Sequence, residues 1–382
     1  MFVACRTGNN GLMPASRHPP IPASDKIAGA LNAHLPRFMR WLGDLETRVL
    51  AGELPALRIE RPVYVCGLAR SGTTLLLEAL AAAPDFTTHR YSDYPLLWIP
   101  YWWNWLRARL PLPVQTPVER AHRDRVTVTA NSPEAFEEVF WMRFFPGRHD
   151  VAVDQILDST CDNPACANFY TAHIHKLLAV RGARRYLAKG NYNLTRIGYL
   201  RRLFPDARFV IAVREPYAHV ASLVKQDGLF STWARSDPAI ATHLARSGHF
   251  EFGPHKRAVN VGDAEQAAAI QACYASGRAV EGYARQWASS YGWLLQALAA
   301  DDDLASSCHW VGYEHLCSDP ARSLRQVYTH AGLDADTAAK LIEDRVGRIA
   351  APDYYVPGID AAGEKMISAV AGEVWRELVK KV

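Results

Sequence analysis

Residues 61–80 run Arg-Pro-Val-Tyr-Val-Cys-Gly-Leu-Ala-Arg-Ser-Gly-Thr-Thr-Leu-Leu-Leu-Glu-Ala-Leu, a β-branched and aromatic stretch, a loop bounded by Gly67 and Gly72, and an apolar helix opening near Thr73. The spacing Gly67-x-x-x-x-Gly72-Thr73-Thr74 is that of a phosphate loop, except that Thr73 stands where nucleoside-triphosphate enzymes carry a lysine. The glycines permit a tight backbone path, and the free amides of the helix start add their dipole to the concavity. An anion is expected there. The cation at hand is Arg70, whose planar fork can hold two oxygens at once.

A second segment has related chemistry. Residues 208–213 (Arg-Phe-Val-Ile-Ala-Val) read as a buried strand that ends at Arg214, and Pro216 suits the first turn of a helix that carries Ser222 nearly two turns in. Parallel α/β sheets bind ligands beyond the carboxyl ends of their strands, where Arg214 falls. Arg214 and Ser222 are therefore a second candidate grip for a phosphate. Further strands are expected near 62–66, 185–189 and 308–313, alternating with helices, which argues for an α/β class.

Together Gly67-Leu-Ala-Arg-Ser-Gly-Thr-Thr-Leu-Leu76 and Val213-Arg-Glu-Pro-x-x-x-x-x-Ser222 resemble the 5′-phosphosulfate loop and the 3′-phosphate motif of sulfotransferases that use 3′-phosphoadenosine 5′-phosphosulfate (PAPS), in the bacterial branch related to tyrosylprotein sulfotransferases. Val311-Gly-Tyr-Glu-His-Leu-Cys-Ser-Asp-Pro320, with Ala331-Gly-Leu333 beyond it, is similar to that family's C-terminal strand-loop-helix, and the resemblance spans roughly residues 60–335. It implies a three-layer α/β sandwich on a mainly parallel, phosphate-loop-like sheet with helical insertions. It also implies transfer of a sulfuryl group from PAPS to an acceptor hydroxyl. By resemblance, Gly67, Leu68, Ala69, Arg70, Ser71, Gly72, Thr73 and Thr74 hold the 5′-phosphosulfate, Arg214 and Ser222 hold the 3′-phosphate, and Tyr313 joins them on the cofactor side. Lys189, in Tyr186-Leu-Ala-Lys-Gly190, falls where related enzymes place a lysine facing the transferred group.

A sulfuryl group carries less charge than a phosphoryl group, so side-chain cations can assist its transfer without a bridging metal. No metal is expected, since the strand ending at Val213 runs into Arg214 and Glu215 rather than into the aspartate of a magnesium-dependent enzyme. A hydroxyl acceptor needs a general base. Tyrosylprotein sulfotransferases carry a glutamate shortly after the loop helix, but the ungapped equivalent here is Tyr91. The candidates are Asp93 first and His89 second, followed by Glu137 and Glu138 on a helix started by Ser132 and Pro133. Two rival readings share the strand-loop-helix: a phosphate-loop nucleotide kinase, which would need ATP and magnesium, and a non-catalytic nucleotide-binding module.

With 382 residues, 49% of them hydrophobic, the chain can bury a full core, and its net charge of +4 suits an anionic cofactor without pointing to nucleic acid. Seven cysteines without paired spacing point to a reducing compartment, and the absence of a leader pattern or long apolar run to a cytoplasmic protein without a membrane span. The expected organisation is a flexible terminus (1–24), a packing helix (25–60), the main domain (61–350) and a C-terminal segment (351–382). Within the main domain, 226–282 is expected as a loop-rich lid or acceptor-binding insertion, where Lys256 and Arg257 are candidate contacts for the 3′-phosphate or for an acidic acceptor. The Trp-rich stretch 94–106 is either an acceptor-pocket wall, with Trp102, Trp103 and Trp105 stacking on the acceptor, or a core helix. Small-molecule, glycan, lipid and peptide hydroxyls all fit as acceptors.

Overall fold

The computed structural model describes residues 20–54, 58–110, 116–122, 126–350 and 358–382, so most of the terminus expected to be flexible lies outside the described residues. The strands are β1 (Val63–Cys66), β2 (Phe86–Thr87), β3 (Val118–Glu119), β4 (Thr127–Val128), β5 (Arg185–Gly190), β6 (Arg208–Val213) and β7 (Cys308–Gly312). Five of them form one sheet in the order β2-β5-β1-β6-β7, and every pairing in it is parallel. The remaining two, β3 and β4, pair as a separate antiparallel ribbon.

The strand residues explain the layering. Val63, Tyr64, Val65 and Cys66 are all fully buried, as are Phe209, Val210 and Ile211, because a parallel sheet is covered on both faces and its strands are apolar on both. One face packs Tyr64, Cys66, Tyr186, Ile211 and Val213 under the helices Pro164–Arg181, Ala279–Ala299 and Ala361–Val379. The other packs Val65, Leu187, Val210 and Val311 under the helices Thr73–Ala81 and Pro320–His330. This is the three-layer α/β sandwich expected. Because the five strands run the same way, Gly67, Arg214 and Tyr313, which follow strand ends, and Lys189, next to last in β5, all lie at one edge of the sheet. With β1 seated between β5 and β6, the loop after it is flanked by Lys189 on one side and Arg214 on the other.

Three segments differ from the sequence expectation. The single N-terminal helix is two, Ala23–His34 and Pro36–Val49, because Pro36 lacks an amide proton and drives Leu35 out of helical geometry (φ −124°, ψ 45°). The stretch 226–282 is largely helical. It holds the end of Pro216–Ser236, then Pro238–Arg246 and Ala264–Ala275, and buries Trp233, Ile240 and Ile270 in a shared cluster. Lys256 is 3.0 Å from Asp227, and Arg257 donates to the His149 carbonyl, so both charges are spent on packing rather than offered to a phosphate. The C-terminal helix Ala361–Val379 buries Ala371 and Leu378 in the core under the sheet and Ile367 in the cluster of Trp233, Ile240 and Ile270. Among the described residues, no helix is long and apolar enough to cross a membrane.

One ion pair fastens the N-terminal helices to the body. Lys176 Nζ lies 3.1 Å from Glu46 Oε2 with both side chains fully buried, and Glu46 Oε1 accepts from the Trp102 amide at 2.6 Å. Removing one partner leaves a buried charge uncompensated. Lys176→Met is expected to lower unfolding free energy by about 3–5 kcal/mol in urea titration, and a loss below about 1 kcal/mol would mean that the Glu46 carboxylate finds water or another cation.

Candidate active site

The phosphate loop is shaped by contacts that leave no room for larger residues at its two glycines. A Cβ on Gly67 would stand 2.6 Å from Ser71 Oγ and 2.7 Å from the Ala212 carbonyl. At Gly72, where φ is +101°, a Cβ would stand 2.7 Å from the Tyr313 ring. Tyr313 therefore closes over the helix start. Arg70 has φ +74°, a left-handed conformation that costs a side-chain-bearing residue roughly 1–3 kcal/mol and persists only where its surroundings enforce it. They do so here: the Leu68 amide donates to Tyr291 Oη at 3.3 Å, and His219 Nε2 lies 2.8 Å from the Ala69 carbonyl oxygen.

So held, Arg70 reaches out of its own loop. Its Nε donates to Ser222 Oγ at 3.3 Å, joining the helix-start cradle to the helix Pro216–Ser236. Pro216 opens that helix, and Glu215 caps it by accepting from the Tyr217 and Ala218 amides. The Arg214 guanidinium sits 4.5 Å from the centre of the Tyr313 ring, and its Nε is a buried donor without a hydrogen-bond partner. A buried guanidinium nitrogen left unmatched is costly unless an anion completes it. The two segments read from the sequence thus adjoin at the Arg70–Ser222 contact.

At the other end of the loop, Thr74 Oγ1 accepts from Lys189 Nζ at 3.3 Å and from Arg120 Nη1 at 3.1 Å. Lys189 in turn lies 4.0 Å from Glu134 Oε1, and the Glu134 carboxylate takes hydrogen bonds from Tyr91 and from the Ala135 amide. Burial lowers the Lys189 ammonium pKa, and Arg120 and Arg70 add to that while Glu134 opposes it. Burial would raise the Glu134 carboxyl, but Lys189, Tyr91 and the amide bond outweigh it and hold it below the usual range. Glu134 is therefore a carboxylate beside an ammonium at the point where the loop helix begins.

Neither Arg120 nor Glu134 was among the residues read from the sequence. The β3–β4 ribbon presents Arg120, and the 130s segment is tied to the 89–92 stretch by the Glu134 amide to the His89 carbonyl (2.9 Å) and the Tyr91 amide to the Ser132 carbonyl (3.1 Å). Tyr91 replaces the glutamate expected by resemblance, and the carboxylate beside it, Glu134, comes from 43 residues further along the chain. The helix read as starting at Ser132 and Pro133 begins instead at Glu138, because Pro133 lies in an antiparallel bridge with Arg90.

The acids named from the sequence have other work. Asp93 is buried with its carboxylate against Arg181 Nη2 at 2.6 and 2.7 Å; it also accepts from Asn104 Nδ2 and from the Arg90 amide. Burial would raise its pKa, but Arg181 and His89 hold it down, so it is a structural anion rather than a base awaiting a substrate. His89 lies in the core among Phe140, His173 and Tyr186, and burial pushes its pKa down to about 4. Glu138 is locked to Arg196 at 2.7 and 2.8 Å and to His149 at 2.6 Å. Glu137 accepts from Tyr170 and Tyr186 hydroxyls at 2.6 and 2.5 Å inside the core, and burial raises its pKa to about 7. In the Trp-rich stretch, Trp98 is in the core, Trp103 donates to the Ser92 carbonyl, and Trp105 lies exposed under Arg109.

Residues 62–251 match the profile of the sulfotransferase family. Among solved structures, sulfotransferase STF9 from Mycobacterium avium is 15% identical over 87% of this chain and 81% of its own, with a TM-score of 0.50, a likeness of fold. Sulfotransferase STF1 from Mycobacterium tuberculosis is 17% identical over 93% of this chain and 94% of its own, with a TM-score of 0.46. No curated protein matches the chain.

The core carboxyl makes stability depend on pH. In the folded chain Glu137 keeps its proton up to about pH 7, whereas an unfolded glutamate releases it above 4.5. The folded state binds more protons between those values, so this group's contribution is present below pH 4.5 and is lost as pH rises towards 7. Glu137→Gln should flatten the dependence of the denaturation midpoint on pH across that window. An unchanged slope would mean that Glu137 is already ionised in the folded protein.

Proposed function

We propose that this chain, which belongs to the sulfotransferase family through its residues 62–251, moves a sulfuryl group from PAPS to an acceptor hydroxyl. The observation that carries the reading is the 3.3 Å contact between Arg70 and Ser222, which brings a 5′-side cradle and a 3′-side clasp within one ribose of each other. In this reading the loop amides, Arg70, Ser71, Thr73 and Thr74 receive the 5′-phosphosulfate. Arg214, with its unmatched Nε, and Ser222 take the 3′-phosphate, while Tyr313 covers the loop.

The residues around Thr74 supply the chemistry. As the acceptor oxygen bonds to sulfur, the bond from sulfur to the bridging oxygen breaks, the acceptor proton passes to Glu134, and negative charge grows on the phosphate that leaves. Lys189, Arg120 and Arg70 lie around that end of the loop and stabilise the charge from fixed positions, without reorganisation of solvent. Glu134 suits the base role because it is ionised, buried and adjacent to Lys189. The base role read for Asp93 or His89 passes to it, since the first is consumed by Arg181 and the second is sealed in the core.

Calorimetric titration separates this reading from a kinase. Adenosine 3′,5′-bisphosphate is expected to bind in the micromolar range, and ATP with magnesium far more weakly; the reverse preference would overturn the assignment. Turnover with radiolabelled sulfate donor and a mixed panel of hydroxyl acceptors then tests the chemistry and separates it from a binding module. Glu134→Gln should lower kcat by about 10²–10⁴ with donor affinity preserved, and near-normal kcat would move the base elsewhere.

A further inference from the structure

The phosphate loop is held from outside by two side chains. Tyr291 Oη accepts from the Leu68 amide at 3.3 Å and donates to the Ala212 carbonyl at 2.8 Å, tying the loop to the end of β6. The second is His219, whose Nε2 lies 2.8 Å from the Ala69 carbonyl oxygen. His219 is fully buried, and its Nδ1 has no partner, so a neutral ring carries its proton on Nε2 and donates it to that carbonyl. Burial, with Arg214 and Arg70 nearby, pushes its pKa down to about 3, which keeps the ring neutral. A buried imidazole with one nitrogen unmatched is a costlier filling for a helix interior than an aliphatic side chain, and the bond to Ala69 offsets that cost.

The carbonyl of Ala69 belongs to the peptide plane whose nitrogen begins Arg70, so anchoring it fixes the rotation that stands at +74°. One helical turn beyond His219, Ser222 Oγ accepts from Arg70 Nε at 3.3 Å. Consecutive turns of one helix therefore hold the backbone and the side chain of the same arginine. We propose that His219 is a positioning residue for donor binding: its Nε2–H keeps Arg70 in the left-handed conformation that lays the guanidinium beside Ser222. The proposal rests on reading Arg70 and Ser222 as part of the donor clasp.

The test is a double-mutant cycle read by calorimetry with adenosine 3′,5′-bisphosphate, using His219→Val, Arg70→Ala and the pair, with His219→Gln as the conservative variant. H219V should weaken binding about tenfold, as expected for one buried hydrogen bond, and raise the donor KM while leaving the acceptor KM unchanged. H219Q, whose amide can donate from a similar position, should recover most of the loss, and H219V should cost nothing further once Arg70 is alanine. Parental affinity in H219V, or the same loss in both backgrounds, overturns the tether. If H219V does not fold, nitrogen NMR of histidine-labelled parent protein decides: a proton on Nδ1 overturns the proposal, and one on Nε2 supports it. A parent that does not bind the bisphosphate at all brings down the clasp reading and this proposal with it, a result distinct from a loss confined to the variants.

Discussion

Everything at the site depends on the parallel arrangement of the sheet. Five strands running one way bring their carboxyl ends to a single edge, and four of them deliver a charged or ring-bearing residue there: the Arg70 loop after β1, Lys189 on β5, Arg214 after β6 and Tyr313 after β7. Helices cover both faces, so these ends rise from a rigid, fully buried platform. Distances of 3.1–3.3 Å between side chains from four separate segments follow from that rigidity.

Electrostatics divides two neighbouring glutamates by environment alone. Glu134 and Glu137 are both buried and three residues apart, yet one faces Lys189 and stays ionised while the other faces tyrosine hydroxyls and keeps its proton up to about pH 7. The first is a carboxylate beside an ammonium at the start of the loop helix, and the second is a core hydrogen-bond acceptor. Arg70 and Arg120 meanwhile add like charge near Lys189, and Glu134 opposes it there. The left-handed backbone at Arg70 adds strain to the same spot, where the surrounding helices hold it in place.

Much of the loop and the two helix starts beside it was legible in the chain because local chemistry dictates them. A glycine-bounded loop between an apolar strand and a helix can adopt few conformations, and Pro216 after Arg214 starts a helix wherever it is placed. The strands at 63–66, 185–190, 208–213 and 308–312 were equally visible as short apolar runs. The helices within 226–282 were not, because glycine, proline and histidine between them obscured the apolar residues that pack as one cluster.

By itself, then, the sequence determined the glycine-bounded loop between β1 and its helix, the helix start at Pro216 and the α/β class, since each rests on backbone preferences within about twenty residues. The tertiary structure alone decided the order of the strands, which seats β1 between β5 and β6, and the company each acid keeps. Asp93 meets Arg181, Glu137 meets two tyrosines, and Glu134 meets Lys189 and Tyr91. A carboxylate's role follows from its neighbours' charge and burial, and those neighbours come from strands and loops that only the folded sheet brings together.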